Sequence, residues 1–499
     1  MTAHDFAALS PLLALFGGSA VVMLAAAFRR RHGFVAALAL AMLVAALAAL
    51  AVAWPEAPRQ VTPLLMIDRI ALFYVGLVVA AAIVVVLLAR AYFERDGRDA
   101  GSDTGGAPKP VERREEFYIL LLLATAGAAV LSASAHFASF FLGLELLSVS
   151  IFALVAYQRT RAPGVEAGVK YLILAGMSSA FLLFGMALVY AERGALDLAS
   201  LAATPDPARP YGVLMAAGVG LMLVAIGFKL SLVPFHMWAP DVYQGAPAPV
   251  TAFVATVSKG AVFAVLLRFA ALMDIPRHGA LAAVLSLIAI ASMFAGNWLA
   301  LLQTNVKRML AYSSIAHMGY LLVAFLASGG WAPVAVTCYL TAYFLTTLGA
   351  FGVVSVLSTP GRDADAPDDY RGLAWRRPWL AGVFTAMLLS LAGIPLTAGF
   401  IGKFYVLAAG VNSRLWLLVV ALVVNSAIGL FYYLRTVVNM YRPTAGEQSG
   451  AAGAREHAPG RARATPAERL ALAALTLALL WIGVYPSPLI RLVQSLLAN

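Results

Sequence analysis

Five ionisable side chains lie inside apolar runs, where such groups are costly. Glu145 is embedded in FFLGLELLSVSIF, Lys229 in GFKLSLVPFHMWAPD, Lys259 in ATVSKGAVF, His317 in SSIAHMGYL and Lys403 in LAGIPLTAGFIGKFY. A charged group at the centre of a bilayer span costs ~2.5 to 3.5 kcal/mol on insertion scales, so the set would cost of order ten kcal/mol facing lipid or left unpaired. These residues therefore have to line a hydrated interior and face one another. Lysine suits proton transfer there, because an ammonium taken out of water holds its proton less firmly unless an anion stands close. A carboxylate neighbour then acts as a switch: with an ionised Glu145 near it Lys229 keeps its proton, and with Glu145 withdrawn it tends to release it. An imidazole such as His317 titrates near neutral pH with little tuning. On this reading Lys259 and His317 relay protons between Lys229 and Lys403.

Each residue also admits a structural reading. Glu145 can form an ion pair that only holds helices together, and Lys229 and Lys403 can satisfy carbonyls freed at helix breaks. His317, and His236 just beyond Pro234, serve equally well as packing histidines. Glu166 and Lys170 have the i,i+4 spacing of a helix-end salt bridge. Arg268 is expected to snorkel near a helix end, and Asp241 to serve as a turn or cap residue.

The elements that position these groups are apolar segments long enough to cross ~30 Å of hydrocarbon at 1.5 Å per helical residue. They fall near 9–28, 33–53, 68–90, 117–133, 136–156, 166–191 and 211–236, then 249–273, 279–301, 306–328, 332–357, 379–410, 413–440 and 467–487. The expected fold is an all-α polytopic membrane protein of about 14 transmembrane helices. Two spans are interrupted, the seventh at Pro234 and the twelfth at Pro395 and Gly399, since proline removes an amide and frees a carbonyl. Broken backbone at membrane depth is tolerated only where protein or a wet cavity covers it. The two breaks stand five spans apart and so cross in opposite senses, which fits two inverted five-helix repeats, spans 4–8 and 9–13, around an ion pathway.

Composition agrees: 62% of the 499 residues are hydrophobic and 12% charged, about half the charged share of a soluble domain. The formal net charge of +11 is no nucleic-acid footprint, because the basic residues sit between apolar runs. Arg29–Arg31, the group from Arg90 to Arg114, Arg159 with Arg161, Lys307 with Arg308, the group from Arg362 to Arg377 and the group from Arg442 to Arg463 occupy alternate loops, the positive-inside pattern. That pattern puts the N-terminus outside. The first thirty residues lack a basic region before the apolar stretch and are not read as a signal peptide. Cys338 is the one cysteine, too few for a disulfide framework, an iron–sulfur cluster or a thiolate zinc site, and it suits a small apolar core position. No P-loop and no G-x-G-x-x-G following a strand suggest a nucleotide site. The expected organisation is an N-terminal three-helix segment (1–95), a linker (96–116), a first repeat (117–275), a second (276–440), a polar loop (441–466) and a last transmembrane segment (467–499). The segment 359–377, with aromatic and paired-charge character, is expected to pack on a partner or on the chain itself.

The run GFKLSLVPFHMWAPDVYQGAPAPVTAF, the following VSKGAVF and the segment NVKRMLAYSSIAHMGYL resemble the core of the proton-antiporter-like family. That family holds the N, M and L subunits of the proton-translocating NADH-quinone oxidoreductase (complex I) and the large subunits of multi-subunit cation/proton antiporters. The resemblance covers roughly the fourth to thirteenth spans. GFIGKFYVL, with Lys403 where M-type members carry an acidic residue, is similar to the N type, and about fourteen spans suit that type better than the longer L type, whose added lateral C-terminal helix is not expected here. The resemblance implies a proton-translocating subunit in a bacterial inner membrane, without redox cofactors of its own. NADH, flavin, iron–sulfur clusters and quinone would act on other subunits, and the partners would be an M-type subunit, small membrane subunits and the bilayer. It further implies that Glu145 and Lys229 form a coupled pair tuned by Lys170, that Lys259 and His317 form the central relay, and that Lys403 is the distal site. A subunit of a cation/proton antiporter or a membrane-bound hydrogenase would use the same scaffold.

Overall fold

A backbone immersed in hydrocarbon has to satisfy its own hydrogen bonds, so apolar runs of about twenty residues become helices. The computed structural model describes residues 1–99, 114–198, 212–272, 279–359, 361–443 and 464–497. Twelve of its helices are long and apolar enough to cross a bilayer. Seven precede or form the first break: α1 (Ala3–Phe28), α2 (His32–Ala53), α3 (Arg69–Asp99), α4 (Glu115–Ser132), α5 (Phe137–Val155), α6 (Ala162–Arg193) and α7 (Val213–Leu230). The short α8 (Trp238–Gly245) follows, and the next crossing is built from α9 (Ala248–Phe253), a π-helical stretch at Val254–Ser258 and α10 (Lys259–Leu272). Then come α11 (Gly279–Leu301), α12 (Val306–Phe325) and α13 (Trp331–Leu357), and, after the short α14 (Pro367–Tyr370) and α15 (Leu373–Arg376), α16 (Pro378–Ala392) and α17 (Ala398–Asn412). The chain finishes with α18 (Trp416–Tyr441), α19 (Pro466–Val484) and α20 (Ser487–Leu497).

The two expected crossings outside those twelve are α12 and the broken pair α16–α17. Helix α12 is buried along its length apart from Arg308, which is partly exposed at its start, and this lets it carry Lys307 and His317 without exposing them to lipid. The expected spans thus all appear, with three additions. The linker expected from 96 does not begin there: α3 runs on to Asp99, supported by an Arg90–Glu94 pair at 3.0 Å and a buried Arg95–Glu468 pair at 2.8 Å that ties it to α19. A hairpin pairs Arg59–Thr62 with Leu65–Ile67, and α20 packs Val493 against Val334 and Cys338 of α13. The linker and polar loop expected at 96–116 and 441–466 fall largely outside the described residues. The segment 359–377 folds onto the chain itself, with Tyr370 fully buried and donating to the Ala364 carbonyl at 2.7 Å.

Contacts between loops sort the helix ends onto two faces. On the first, Arg59 meets Asp5 at 2.6 Å, Arg268 meets Asp68 at 2.6 Å and the Ser134 carbonyl at 2.7 Å, and Ser413 accepts from the Ser328 amide. On the second, His32 meets Tyr118 at 2.7 Å, and Lys307 meets Asp363 at 2.6 Å and the Ala246 carbonyl at 2.6 Å. The N-terminus lies on the first face and the basic clusters among the described residues on the second.

Candidate functional site

The seventh span does not kink and continue. Helix α7 stops at Leu230 because Ser231 turns into the left-handed region (φ 59°), and the chain resumes helical form only at Trp238. Trp238 Nε1 donates to the Phe228 carbonyl at 2.8 Å, satisfying one of the acceptors that a helix end leaves open. The twelfth span breaks alike: α16 ends at Gly393 (φ 87°), Leu396 is held at φ 69°, and Thr397 caps α17. A positive φ is strained for Ser231 and Leu396. At the second break Gly399 is obligatory, since a Cβ there would stand 1.8 Å from the Ser390 carbonyl oxygen.

Three of the buried lysines sit beside helix irregularities. Lys229 is in the last turn of α7, Lys259 follows the π-helical stretch, and Lys403 is in the second turn of α17. The three are 1%, 0% and 9% exposed, so their ammonium groups depend on partners supplied by the fold. Lys229 Nζ donates to Ser148 Oγ at 2.5 Å and to the Tyr171 hydroxyl at 3.3 Å, and lies 5.3 Å from the Tyr171 ring centroid. Lys259 Nζ donates to Ser314 Oγ at 2.5 Å. Lys403 Nζ donates to the Ala392 carbonyl at 2.9 Å and Ser426 Oγ at 2.8 Å, and stands 5.2 Å from the Tyr320 ring centroid.

Glu145 is half-buried on α5 and accepts a hydrogen bond from Ser179 of α6. Among the described residues it makes no ion pair with Lys229. The two meet through the helix that carries both Glu145 and Ser148, one turn apart. Lys170 lies away from them on the second face, 2.7 Å from Glu166 and 2.8 Å from Asp241. Asp241 also holds Arg308 at 2.7 Å. Burial alone would push the Asp241 carboxyl up, but Lys170 and Arg308 outweigh it and hold it below the usual carboxylate range. His236 lies in the first break, 8% exposed.

Sequence reasoning missed the hydroxyl groups that join the lysines. Ser314 Oγ, which receives Lys259, lies 2.6 Å from the Tyr343 hydroxyl. The His317 ring is 5.6 Å from the Tyr343 ring; its Nδ1 meets the Tyr339 hydroxyl at 2.7 Å and its Nε2 the Tyr433 hydroxyl at 3.2 Å, and Tyr433 also bonds Ser313. A cavity of about 10 Å³ then joins His317, Tyr339, Tyr343 and Ser390 to Lys403, room for about one water. Tyrosines inside apolar helices carry no signal beyond their hydroxyl, which needs a partner once buried; the run AYSSIAH held the only hint, serines one turn from a histidine.

A transmembrane family model described as NADH:quinone oxidoreductase/Mrp antiporter matches residues 134–429, a stretch holding Glu145, Lys229, Lys259, His317 and Lys403. The chain belongs to that family. Among curated members of the NADH:quinone oxidoreductase/Mrp antiporter family, NADH-quinone oxidoreductase subunit N of Ectopseudomonas mendocina is 49% identical over 99% of this chain and 97% of its own length. The protein of the same name in Methylococcus capsulatus is 47% identical over 98% of this chain and 95% of its own. A chain of respiratory complex I from Thermus thermophilus superposes with a TM-score of 0.78 at 32% identity, covering 96% of this chain and 98% of that one. A chain of the Mrp complex from a Dietzia species superposes at 0.83 but 22% identity, covering 100% and 98%, which shows a shared fold.

Proposed function

We propose that this chain is the proton-translocating membrane subunit of an NADH-quinone oxidoreductase, moving protons in response to quinone reduction carried out on other subunits. The observation that carries the reading is the line of buried ammonium and imidazole groups, Lys229, Lys259, His317 and Lys403, partnered by serine and tyrosine hydroxyls. Hydroxyls donate and accept at once, so Ser314 and Tyr343 extend the reach of Lys259 toward His317. Lys229 takes its proton under the control of Glu145 on the neighbouring helix, Lys259 and His317 pass it on, and Lys403 is the distal site. Lys170 acts at a distance, through Asp241 at the far end of the broken helix. The two repeats span 117–275 and 276–440, with the basic second face in the cytoplasm and the N-terminus on the other side of the bacterial inner membrane. NADH, flavin, iron–sulfur clusters and quinone act elsewhere in the complex, and an M-type subunit and small membrane subunits are neighbours.

The near-full-length identity to subunits N favours this over a cation/proton antiporter, for which the Mrp likeness speaks at the level of fold. Replacing Lys229 by Ala tests it. In vesicles holding the assembled complex, proton uptake is expected to fall by about a hundredfold or more at the first relay, with NADH–quinone electron transfer slowed alongside. Normal pumping and turnover in the variant would reject the assigned role.

A further inference from the structure

On the second face, a cleft of about 600 Å³ opens between the turn joining α11 to α12 and the last three turns of α18. Its polar end is cationic: Arg435 and Arg442 line it with Thr304, and among the described residues no carboxylate does. Arg435 spends two guanidinium donors on the Leu301 carbonyl at 3.0 Å and the Gln303 carbonyl at 2.8 Å, leaving others of its five free. Arg442 is exposed and makes no ion pair among the described residues. The other wall is apolar and open to the hydrocarbon, with Phe431, Leu434 and Val438 at 64%, 39% and 50% exposed.

Depth fixes what this combination faces. Helix α18 begins at Trp416 and ends at Tyr441, both exposed, and aromatic residues of this kind mark the two membrane–water interfaces. The Arg435 guanidinium, held at the α11–α12 turn, and Arg442, one residue past Tyr441, therefore stand toward the headgroups on one side, while Leu434 and Phe431 run down α18 toward acyl-chain level.

We propose that this cleft is a binding site for one anionic phospholipid, its phosphate held between Arg435 and Arg442 and an acyl chain laid along Phe431, Leu434 and Val438. A basic pocket between transmembrane helices suits an anionic headgroup, and the guanidinium fork matches a phosphate bidentately. A zwitterionic lipid offers the same phosphate with a cation beside it, which the two arginines repel. The bound lipid would bridge α11 and α18 where Arg435 already joins them.

The test uses the assembled membrane complex in phosphatidylcholine nanodiscs with a trace of photoactivatable phosphatidylglycerol. Label is expected within residues 431–442, competed by phosphatidylglycerol and not by further phosphatidylcholine. Arg442→Gln is expected to lower it about fivefold and Arg435→Gln with Arg442→Gln further, following the worth of each basic residue near an anionic surface. Because Arg435 also caps α11, the double variant is read only where it assembles, and Arg442→Gln, which removes no side-chain bond among the described residues, carries the test alone. Equal labelling by a photoactivatable phosphatidylcholine would reduce the site to ordinary annular lipid and overturn the proposal. Competition by glycerol 3-phosphate as effective as by the lipid would assign the cleft to a free phosphate compound instead. A photocrosslinking amino acid at position 442 that captures a neighbouring subunit rather than lipid would overturn it as well.

Discussion

At the first break Lys229 ends one helical segment and reaches Ser148, one turn from Glu145; at the second Lys403 lies in the second turn of the following segment and reaches only neutral groups, Ala392 and Ser426. Two lysines at equivalent interruptions are thus stabilised differently. A helix C-terminus carries partial negative charge, and both lysines stand at one, Lys229 in the last turn of α7 and Lys403 against the Ala392 carbonyl that ends α16; only Lys229 also has a carboxylate, Glu145, one turn from its partner Ser148. A dipole fixed by the backbone cannot be withdrawn, whereas a side-chain carboxylate on a separate helix can. The first lysine is therefore the one suited to control, and the second to hold and pass on what arrives.

The sharpest way to break this comparison is to remove the geometry of one break alone. Gly399→Ala would place a methyl 1.8 Å from a backbone oxygen, while at Gly227 beside the first break the added carbon would meet the Phe235 ring at 2.8 Å, a side chain able to move. Gly399→Ala is expected to cost more than ~4 kcal/mol, in the range reserved for named structural failures, and to abolish assembly on native gels; Gly227→Ala is expected to leave an assembled, less stable complex. Equal tolerance of both would mean the second break is not held by close backbone contact.

The halves that carry the two breaks are joined on the second face by Lys307 of α12, which holds Asp363 and also the Gln244 and Ala246 carbonyls beside α8. Burial would push the Asp363 carboxyl up, but Lys307 and Arg161 outweigh it and hold it below the usual carboxylate range. A depressed folded value contributes stability that is fully present above the unfolded value of about 3.9 and is lost as pH falls through the folded one. Asp363→Asn leaves Lys307 buried and unpaired, at a cost of about 3 to 5 kcal/mol. Thermal unfolding of the assembled complex is expected to show that loss at neutral pH and to converge with wild type in acid. A difference that persists unchanged at low pH would place the clasp elsewhere.

Replacing the lysine of one break and the carboxylate of the other compares control with carriage directly. Lys403→Ala removes a carrier and is expected to cut proton pumping by about a hundredfold or more. Glu145→Gln leaves Lys229 and Ser148 in place and is expected to cost roughly tenfold, the size of one lost charge interaction of about 1.4 kcal/mol. Vesicle proton uptake per NADH oxidised checks both. The reverse order would make Glu145, on a half-buried helix face, the carrier.

The crossings were legible because length and apolarity decide them, and the two interruptions because proline and glycine announce themselves. Lys229, Lys259 and Lys403 were legible for the same reason: an ammonium inside an apolar run has no cheap explanation. What escaped was the chemistry of close approach. Nothing in GFKLSLVPF says that α7 ends outright at Ser231, and nothing in VATVSK announces a π-helical stretch before Lys259, because both depend on which helix lies alongside. The pairing of Glu145 with Ser179, and of Lys229 with Ser148 rather than Glu145 directly, is set by the angle between α5, α6 and α7, which hydrophobic periodicity does not encode. Lys170 illustrates the opposite case, where the i,i+4 spacing with Glu166 forecast its salt bridge.

The same limit hides the hydroxyls, and they supply the finest test of the comparison. Tyr343 stands between the lysine of the π-helical turn and the histidine: its hydroxyl is 2.6 Å from Ser314 and its ring 5.6 Å from that of His317, and it also lines the small cavity shared with Lys403. Tyr343→Phe removes one neutral hydrogen-bonding group worth about 1 kcal/mol, keeping the ring and its packing. Proton uptake is expected to fall about fivefold, with assembly unchanged and a solvent deuterium isotope effect larger than wild type as transfer past this point becomes limiting. If the relay instead runs through Tyr433 and Ser313 on the far side of His317, Tyr343→Phe will leave both uptake and isotope effect at wild-type values and Tyr433→Phe will carry the change, which moves the path to Lys403 from the α13 side of the histidine to the α18 side.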